Sequence, residues 1–92
     1  MAQVSTVIQA DPQSLADALD ALNAEVLIVE KTTSAGKFIV IYQAPSTSQT
    51  FTVIAGDPEK LSDEINDIIG GGDDVTLVIP TFSASHYVVV SE

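Results

Sequence analysis

Two segments of the chain carry apolar residues at the spacing of an amphipathic helix. In DPQSLADALDALN, which starts at Asp11, Leu15, Leu19 and Leu22 recur at i, i+4 and i+7. DPEKLSDEINDII, which starts at Asp57, has the same spacing. Such spacing puts one apolar stripe on each helix. Both segments open with Asp-Pro, in which Asp can cap the free amides and Pro suits the first helical position. The pattern predicts two short helices that begin in the same way.

Six apolar runs predict β-strands, one before each helix and two after it. The runs cover residues 6–8, 26–29, 38–42, 52–54, 75–79 and 87–90. The segments TTSAGK and PTFSAS separate the paired runs and have the composition of hairpin turns. The chain is therefore predicted to be an α+β fold, with a mainly antiparallel sheet and the element order βαββ-βαββ.

The two halves match each other in sequence. Leu15, Leu19 and Leu22 recur 46 residues later as Leu61, Ile65 and Ile68. After Gly70-Gly71-Gly72 the offset is read as about 48, which aligns His86 with Phe38. We interpret the chain as one domain of two βαββ repeats, about 1–43 and 49–92, joined by a linker at 44–48.

One helix in forty-odd residues cannot bury its own stripe, so the two repeats are expected to share a core. Both helices are predicted on one face, in a ferredoxin-like or pseudo-two-fold arrangement. Six strands in one sheet and two sheets joined at an edge both remain open.

Three strand runs, 26–29, 38–42 and 87–90, are apolar without interruption. A strand with one face in water would alternate, so both faces of the sheet are expected to be covered. Two helices cover one face only. The sequence therefore predicts a homo-oligomer, a dimer or larger, formed through the helix-free face, and the alternative is a curled sheet that closes on itself. A different protein partner is also possible.

Charge and composition exclude several functions. The 92 residues include thirteen Asp and Glu, three Lys, no Arg and no Cys, for a net charge of −10. Nucleic-acid binding draws its affinity from Lys and Arg, so no nucleic-acid partner is expected. Without Cys, thiolate metal sites and a cysteine nucleophile are excluded. We find no signal peptide and no run long enough to span a membrane, and we expect a soluble, intracellular protein or part of a larger particle.

Few residues are candidates for chemistry. His86, Tyr42 and Tyr87 are candidates for a ligand-binding site, and Ser83 or Ser85 could pair with His86 as nucleophile and base. Asp73 and Asp74, which follow the glycine run, are candidates for Ca²⁺ or Mg²⁺ binding. The acidic positions of the second helix predict a solvated face. No cofactor and no catalytic residue is predicted.

The tandem βαβ-type pattern resembles two families at the level of topology. One is the tautomerase superfamily, whose catalysis depends on an N-terminal proline; this chain begins Met1-Ala2-Gln3, so that chemistry is not implied here. The other is the dimeric α+β barrels, which include both enzymes and proteins without a known reaction, so a shared fold says little about function.

Three functions are consistent with these observations. The first is a non-catalytic, acidic structural or interaction subunit that self-assembles through an apolar sheet face. The second is a module that binds a small ligand or a divalent cation. The third is a small enzyme of the dimeric α+β barrel type, which is disfavoured because the chain has one His and neither Cys nor Arg.

Overall fold

The computed structural model describes residues 3–46 and 48–92; Met1, Ala2 and Thr47, which belongs to the predicted linker, lie outside it. The strands are β1 (Gln3–Gln9), β2 (Glu25–Lys31), β3 (Lys37–Gln43), β4 (Thr50–Ala55), β5 (Val75–Pro80) and β6 (His86–Ser91), and the helices are α1 (Pro12–Ala21) and α2 (Pro58–Gly70). Each predicted run lies inside an element of the predicted type. The α+β class is confirmed.

The described strands form two antiparallel sheets of three strands each. Sheet 1 has the order β1-β3-β2 and sheet 2 the order β4-β6-β5. A single six-stranded sheet is therefore not formed, and neither sheet has the four strands of a ferredoxin-like arrangement. One edge strand of each sheet has an irregular register near its start. The shift lies between Val26 and Ile28 in β2 and between Val75 and Leu77 in β5.

Both helices begin at the predicted aspartates. The side chain of Asp11 accepts the Ser14 amide at 2.8 Å, and Asp57 accepts the Lys60 amide at 2.8 Å. These bonds satisfy amides that have no partner within a helix. The Ser14 amide also lowers the pKa of Asp11, because it stabilises the charged carboxylate.

The core lies between the two sheets and α1. Phe38 and Val40 of β3 are 0–1% exposed, whereas Ile39 between them is 41% exposed. The face of sheet 1 that carries Phe38 and Val40 is called its inner face here, and the face that carries Ile39 its outer face. The inner face packs with Val88 and Val90 of β6 in one apolar cluster.

The helix α1 completes that cluster. Leu15, Ala16 and Leu19 are at most 2% exposed, and α1 lies close to β4 and β6 of sheet 2 as well as to β1. At the other side of the cluster β2 approaches β5. There the side-chain Nε2 of Gln49 donates to the backbone carbonyl of Val26 at 3.0 Å, and the side-chain Oε1 of Gln49 accepts from the backbone amide of Val26 at 2.9 Å. Gln49 thus takes the place of a neighbouring strand for one residue.

The helix α2 lies at the periphery. It contacts β4 and β5 across the opposite face of sheet 2, where Ile54 and Val89 are 4% and 0% exposed. No residue of α2 itself is buried. A two-fold axis would give both helices the same burial, so the burial of α1 and α2 does not fit the predicted pseudo-two-fold, and the helices do not share one face.

The turns between β2 and β3 and between β5 and β6 have the same hydrogen bonds. In each turn, the amide and the hydroxyl of a threonine donate to the carbonyl of the residue five positions later. The amide of that later residue donates to the carbonyl of a serine. The residues are Thr32, Ser34 and Lys37 in the first turn and Thr81, Ser83 and His86 in the second.

The spacing between corresponding turn residues is 81 − 32 = 49, not the predicted 48. His86 therefore corresponds to Lys37 and not to Phe38. The prediction was one residue short because α2 has 13 residues and α1 has 10, which adds three to the offset of 46.

An aromatic contact joins the two halves at the turn after β5. The rings of Phe82 and Phe38 are 5.3 Å apart at 68°, edge to face. The Nζ of Lys31 lies 4.8 Å from the centre of the Phe82 ring. Edge-to-face rings and a cation over a ring are both attractive. Phe82 thus fixes the second hairpin against the inner face of sheet 1.

Candidate functional site

His86 lies at the start of β6 and is half-buried. Its ring Nδ1 is 2.8 Å from the carbonyl oxygen of Ala84, and because a carbonyl only accepts, Nδ1 carries the proton in this contact. No hydrogen bond joins the ring to the hydroxyl of Ser83 or Ser85, both of which lie in the described chain. The predicted nucleophile and base are therefore not linked in this structure.

The two tyrosines lie on different sheets. Tyr42 is on the inner face of sheet 1, packed against the core. Tyr87 pairs with Ile54 on the α2 side of sheet 2, whereas Val88, and hence His86 two residues before it, faces the other way. None of the three side chains is hydrogen-bonded to another. Tyr42, Tyr87 and His86 thus stand at three separate positions.

Asp73 and Asp74 follow the end of α2 and are exposed. Their backbone is used structurally, since the amide and carbonyl of Asp74 bond Glu92 at 2.7 and 2.9 Å and extend the β5–β6 ladder. Within residues 3–46 and 48–92 no group of three or more His, Asp or Glu side chains is placed to hold a metal ion. Two carboxylates alone provide few of the six to eight oxygens that Ca²⁺ takes.

A groove of about 250 Å³ separates α2 from β4. Thr52, Val53, Ile54 and Ile68 form its walls, with the carboxylates of Glu64 and Asp67. Ligand pockets are usually about 300–1,000 Å³ and enclosed. The groove is smaller than that range and open to solvent.

The outer face of sheet 1 is an apolar surface that is open to solvent. Val7, Ile28 and Ile39 are 62%, 44% and 41% exposed. Val7 pairs with Ile39 across β1 and β3, and Ile28 pairs with Ile41 across β2 and β3. These four side chains form one patch with no gap between strands. Neither helix lies on it.

This face carries little of the negative charge of the chain. Alternation along the paired strands places Glu25, Glu30 and Lys37 on the same face as Ile39, with Gln3, Ser5, Gln9 and Gln43 as its other polar residues. The side-chain amide of Gln43 donates to the Glu25 carboxylate at 2.9 Å. Two acids and one lysine give the face a net charge of −1, whereas the chain carries −10. The acidic residues are concentrated elsewhere.

The sequence predicts a helix-free apolar face but not which strands form it. The runs 38–42 and 87–90 have the same uninterrupted pattern, which predicts that both are covered on both faces. In the structure Val88, Val89 and Val90 are all fully buried within one chain, whereas Ile39 is open to solvent. Phe82 and Gln49, which join the two halves, were not predicted, because a single aromatic or glutamine in a loop has no periodic signal.

No helix of the described chain is long and apolar enough to cross a lipid bilayer. Comparisons with models of known families, with curated proteins and with solved structures found no match to this chain.

Proposed function

We propose that this protein is a non-catalytic structural subunit that self-assembles through the outer face of sheet 1. The observation that carries the proposal is the patch of Val7, Ile28, Ile39 and Ile41, with three of its members more than 40% exposed. Contiguous apolar surface that lacks a cover within the chain is typical of an interaction site. Burying such side chains is favourable by about 25 cal/mol for each Å² removed from water.

A second copy of the chain is the partner that the charges favour. Most of the surface of a protein with charge −10 repels another copy. The outer face of sheet 1 has a net charge of only −1, because Lys37 offsets one of the two acids Glu25 and Glu30, so two copies can meet there at a small electrostatic cost. A basic partner would gain most at the acidic positions of α2 and not at this face.

We further propose that the chain is a tandem repeat of two βαββ units, about 1–43 and 49–92. The identical hydrogen bonds of the two turns support this, as do the shared strand order and the register shift at the same place in β2 and β5. In this proposal a shift and not a two-fold axis relates the two units, because α1 contacts β4 and β6 on the core side of sheet 2 and α2 contacts β4 and β5 on its other side.

The test is the mass in solution, measured by light scattering on a sizing column over a range of protein and salt concentrations. We expect the wild type to be a dimer or larger, and Ile39→Lys to run as a 9.6 kDa monomer. Thr33→Lys adds the same charge in an exposed turn and should behave as the wild type. Ile39→Thr keeps a β-branched side chain and should weaken association with the fold intact.

A wild type that stays monomeric at millimolar concentration would contradict the proposal. So would an Ile39→Lys variant that is folded by circular dichroism and assembles as the wild type does.

A further inference from the structure

The chain already contains one example of how the outer face of sheet 1 can be covered. At the spacing of the repeat, the pair Val7–Ile39 corresponds to Val53–Val88 of sheet 2, and Ile28–Ile41 corresponds to Leu77–Val90. All four residues of sheet 2 pack in the core. They are covered by α1 and by the inner face of sheet 1. The same face is therefore closed in sheet 2 and open in sheet 1.

The residues of α1 that provide this cover have counterparts in α2, and those counterparts are open to solvent. In α1 Leu15, Ala16 and Leu19 are at most 2% exposed, whereas Leu61, Ser62 and Ile65, 46 residues later, are half-buried or exposed.

The neighbouring strand shows the same contrast. Val29 of β2 is 7% exposed, but Val78, which corresponds to it in β5, is 42% exposed, and Ile69 near the end of α2 is 50% exposed. The side of sheet 2 that carries α2 is thus an unused copy of the surface that α1 and sheet 1 present inside the chain. We call it the α2 surface.

A polar contact between the two sheets shows the same contrast between a position used within the chain and an unused counterpart. Gln49, one residue before β4, bonds the amide and carbonyl of Val26 and so ties sheet 2 to sheet 1. Gln3 lies 46 residues earlier at the start of β1, and its side chain is exposed. Val75, the counterpart of Val26, begins β5 on the α2 surface. In a copy stacked on that surface, Gln3 stands where it can bond Val75 as Gln49 bonds Val26.

We propose that copies of this chain stack head to tail, with the outer face of sheet 1 of one copy on the α2 surface of the next. This inference rests on the proposed function and adds its geometry. The two contacting surfaces differ, so the interface is heterologous. A stacked pair keeps one free outer face, on one copy, and one free α2 surface, on the other. Such contacts give a ring when the rotation closes and an open filament when it does not.

Complementation between two blocked variants tests the geometry. Ile39→Lys blocks the outer face of sheet 1, and Ile69→Lys blocks the α2 surface at an exposed residue in the last turn, where a lysine suits the helix. We expect each variant alone to be a monomer, and an equimolar mixture to form a heterodimer of about 19 kDa, twice the chain mass, that grows no further. Asp63→Asn changes the net charge by the same amount on the side of α2 away from Ile65 and Ile69 and should assemble as the wild type.

Other outcomes separate this inference from the function it rests on. If Ile69→Lys still dimerises and Ile39→Lys does not, the outer faces pair with each other, so stacking is overturned and self-assembly through sheet 1 stands. A monomeric wild type overturns both, and so does an Ile39→Lys variant that still assembles. Should Ile39→Lys fail to fold, Val7→Lys blocks the same face at a residue that is 62% exposed.

The glutamines provide an independent readout. Gln3→Ala should weaken assembly and leave the melting temperature of the monomer unchanged, whereas Gln49→Ala should lower the melting temperature of the monomer. Equal effects of both substitutions on the monomer would contradict the role assigned to Gln3.

Discussion

Leu19 and Ile65 occupy the same position in the two helices, yet replacing each with alanine should have different costs. Leu19 is 1% exposed and lies in the core, so Leu19→Ala removes buried methyl groups and leaves a cavity, at a cost of about 3–5 kcal/mol. Ile65 is half-buried on a helix that has no buried residue. Ile65→Ala should cost about 1 kcal/mol, because the site is already partly in water and alanine favours the helix.

The difference is measurable by urea denaturation. A 92-residue domain has a stability of about 5–14 kcal/mol, so both variants should remain folded enough to measure. With a slope of about 1.5 kcal/mol per molar urea, Leu19→Ala should lower the midpoint by about 2–3 M and Ile65→Ala by about 0.7 M. The measurements are made at low micromolar concentration, so that the proposed assembly contributes as little as possible to the stability of α2.

Equal losses from the two substitutions would refute this reasoning. They would mean that α1 and α2 are packed alike, as a two-fold arrangement of the repeats requires, and that the α2 surface is not open. A larger loss at Ile65 that appears only at high protein concentration would instead show that assembly covers α2.

Three further changes test particular contacts. Phe82→Ala removes the edge-to-face contact with Phe38 and should cost about 1–2 kcal/mol in urea denaturation; an unchanged midpoint would mean that the hairpin does not bind sheet 1. Gln49→Ala removes two hydrogen bonds to Val26 and should cost about 1–2 kcal/mol, and faster amide exchange at Val26 would locate the effect. The capping bond lowers the pKa of Asp11 below its usual 3.8, so its contribution to stability is present above pH 3.8 and is lost as the pH falls through the lowered value. Asp11→Asn keeps an acceptor but does not titrate, and its urea midpoint should fall less than that of the wild type between about pH 5 and pH 2; parallel curves would contradict the role of Asp11.

The element order could be predicted because its signals are local. Asp-Pro followed by a stripe of Leu or Ile depends on the capping and periodicity of one helix, and both predicted helices are present. The strand runs depend on apolar β-branched residues and are likewise local. The pairing of strands into two sheets could not be predicted in this way, because it depends on which edges meet across the chain.

The different burial of the two helices has a weak signal in the sequence. Ala16 and Ala18 of α1 correspond to Ser62 and Glu64 of α2. Alanine permits close approach to a sheet, as in α1 beside β4, whereas Glu64 needs water and lies at the groove. The apolar stripe is the same in both helices and indicates only which side of each helix faces the rest of the protein. The residues beside the stripe decide how closely the helix approaches.

The charge of −10 and the proposed stacking are compatible because charge and contact lie on different sides of α2. Successive residues of a helix are 100° apart, so Asp63 and Asp67 lie on the side away from Ile65 and Ile69. Stacking that buries the isoleucines leaves these carboxylates in water, where no desolvation cost arises. Their repulsion between copies acts over a distance and is screened by salt. In the proposed stack the acids therefore set the concentration needed for assembly, and the apolar surfaces set its geometry.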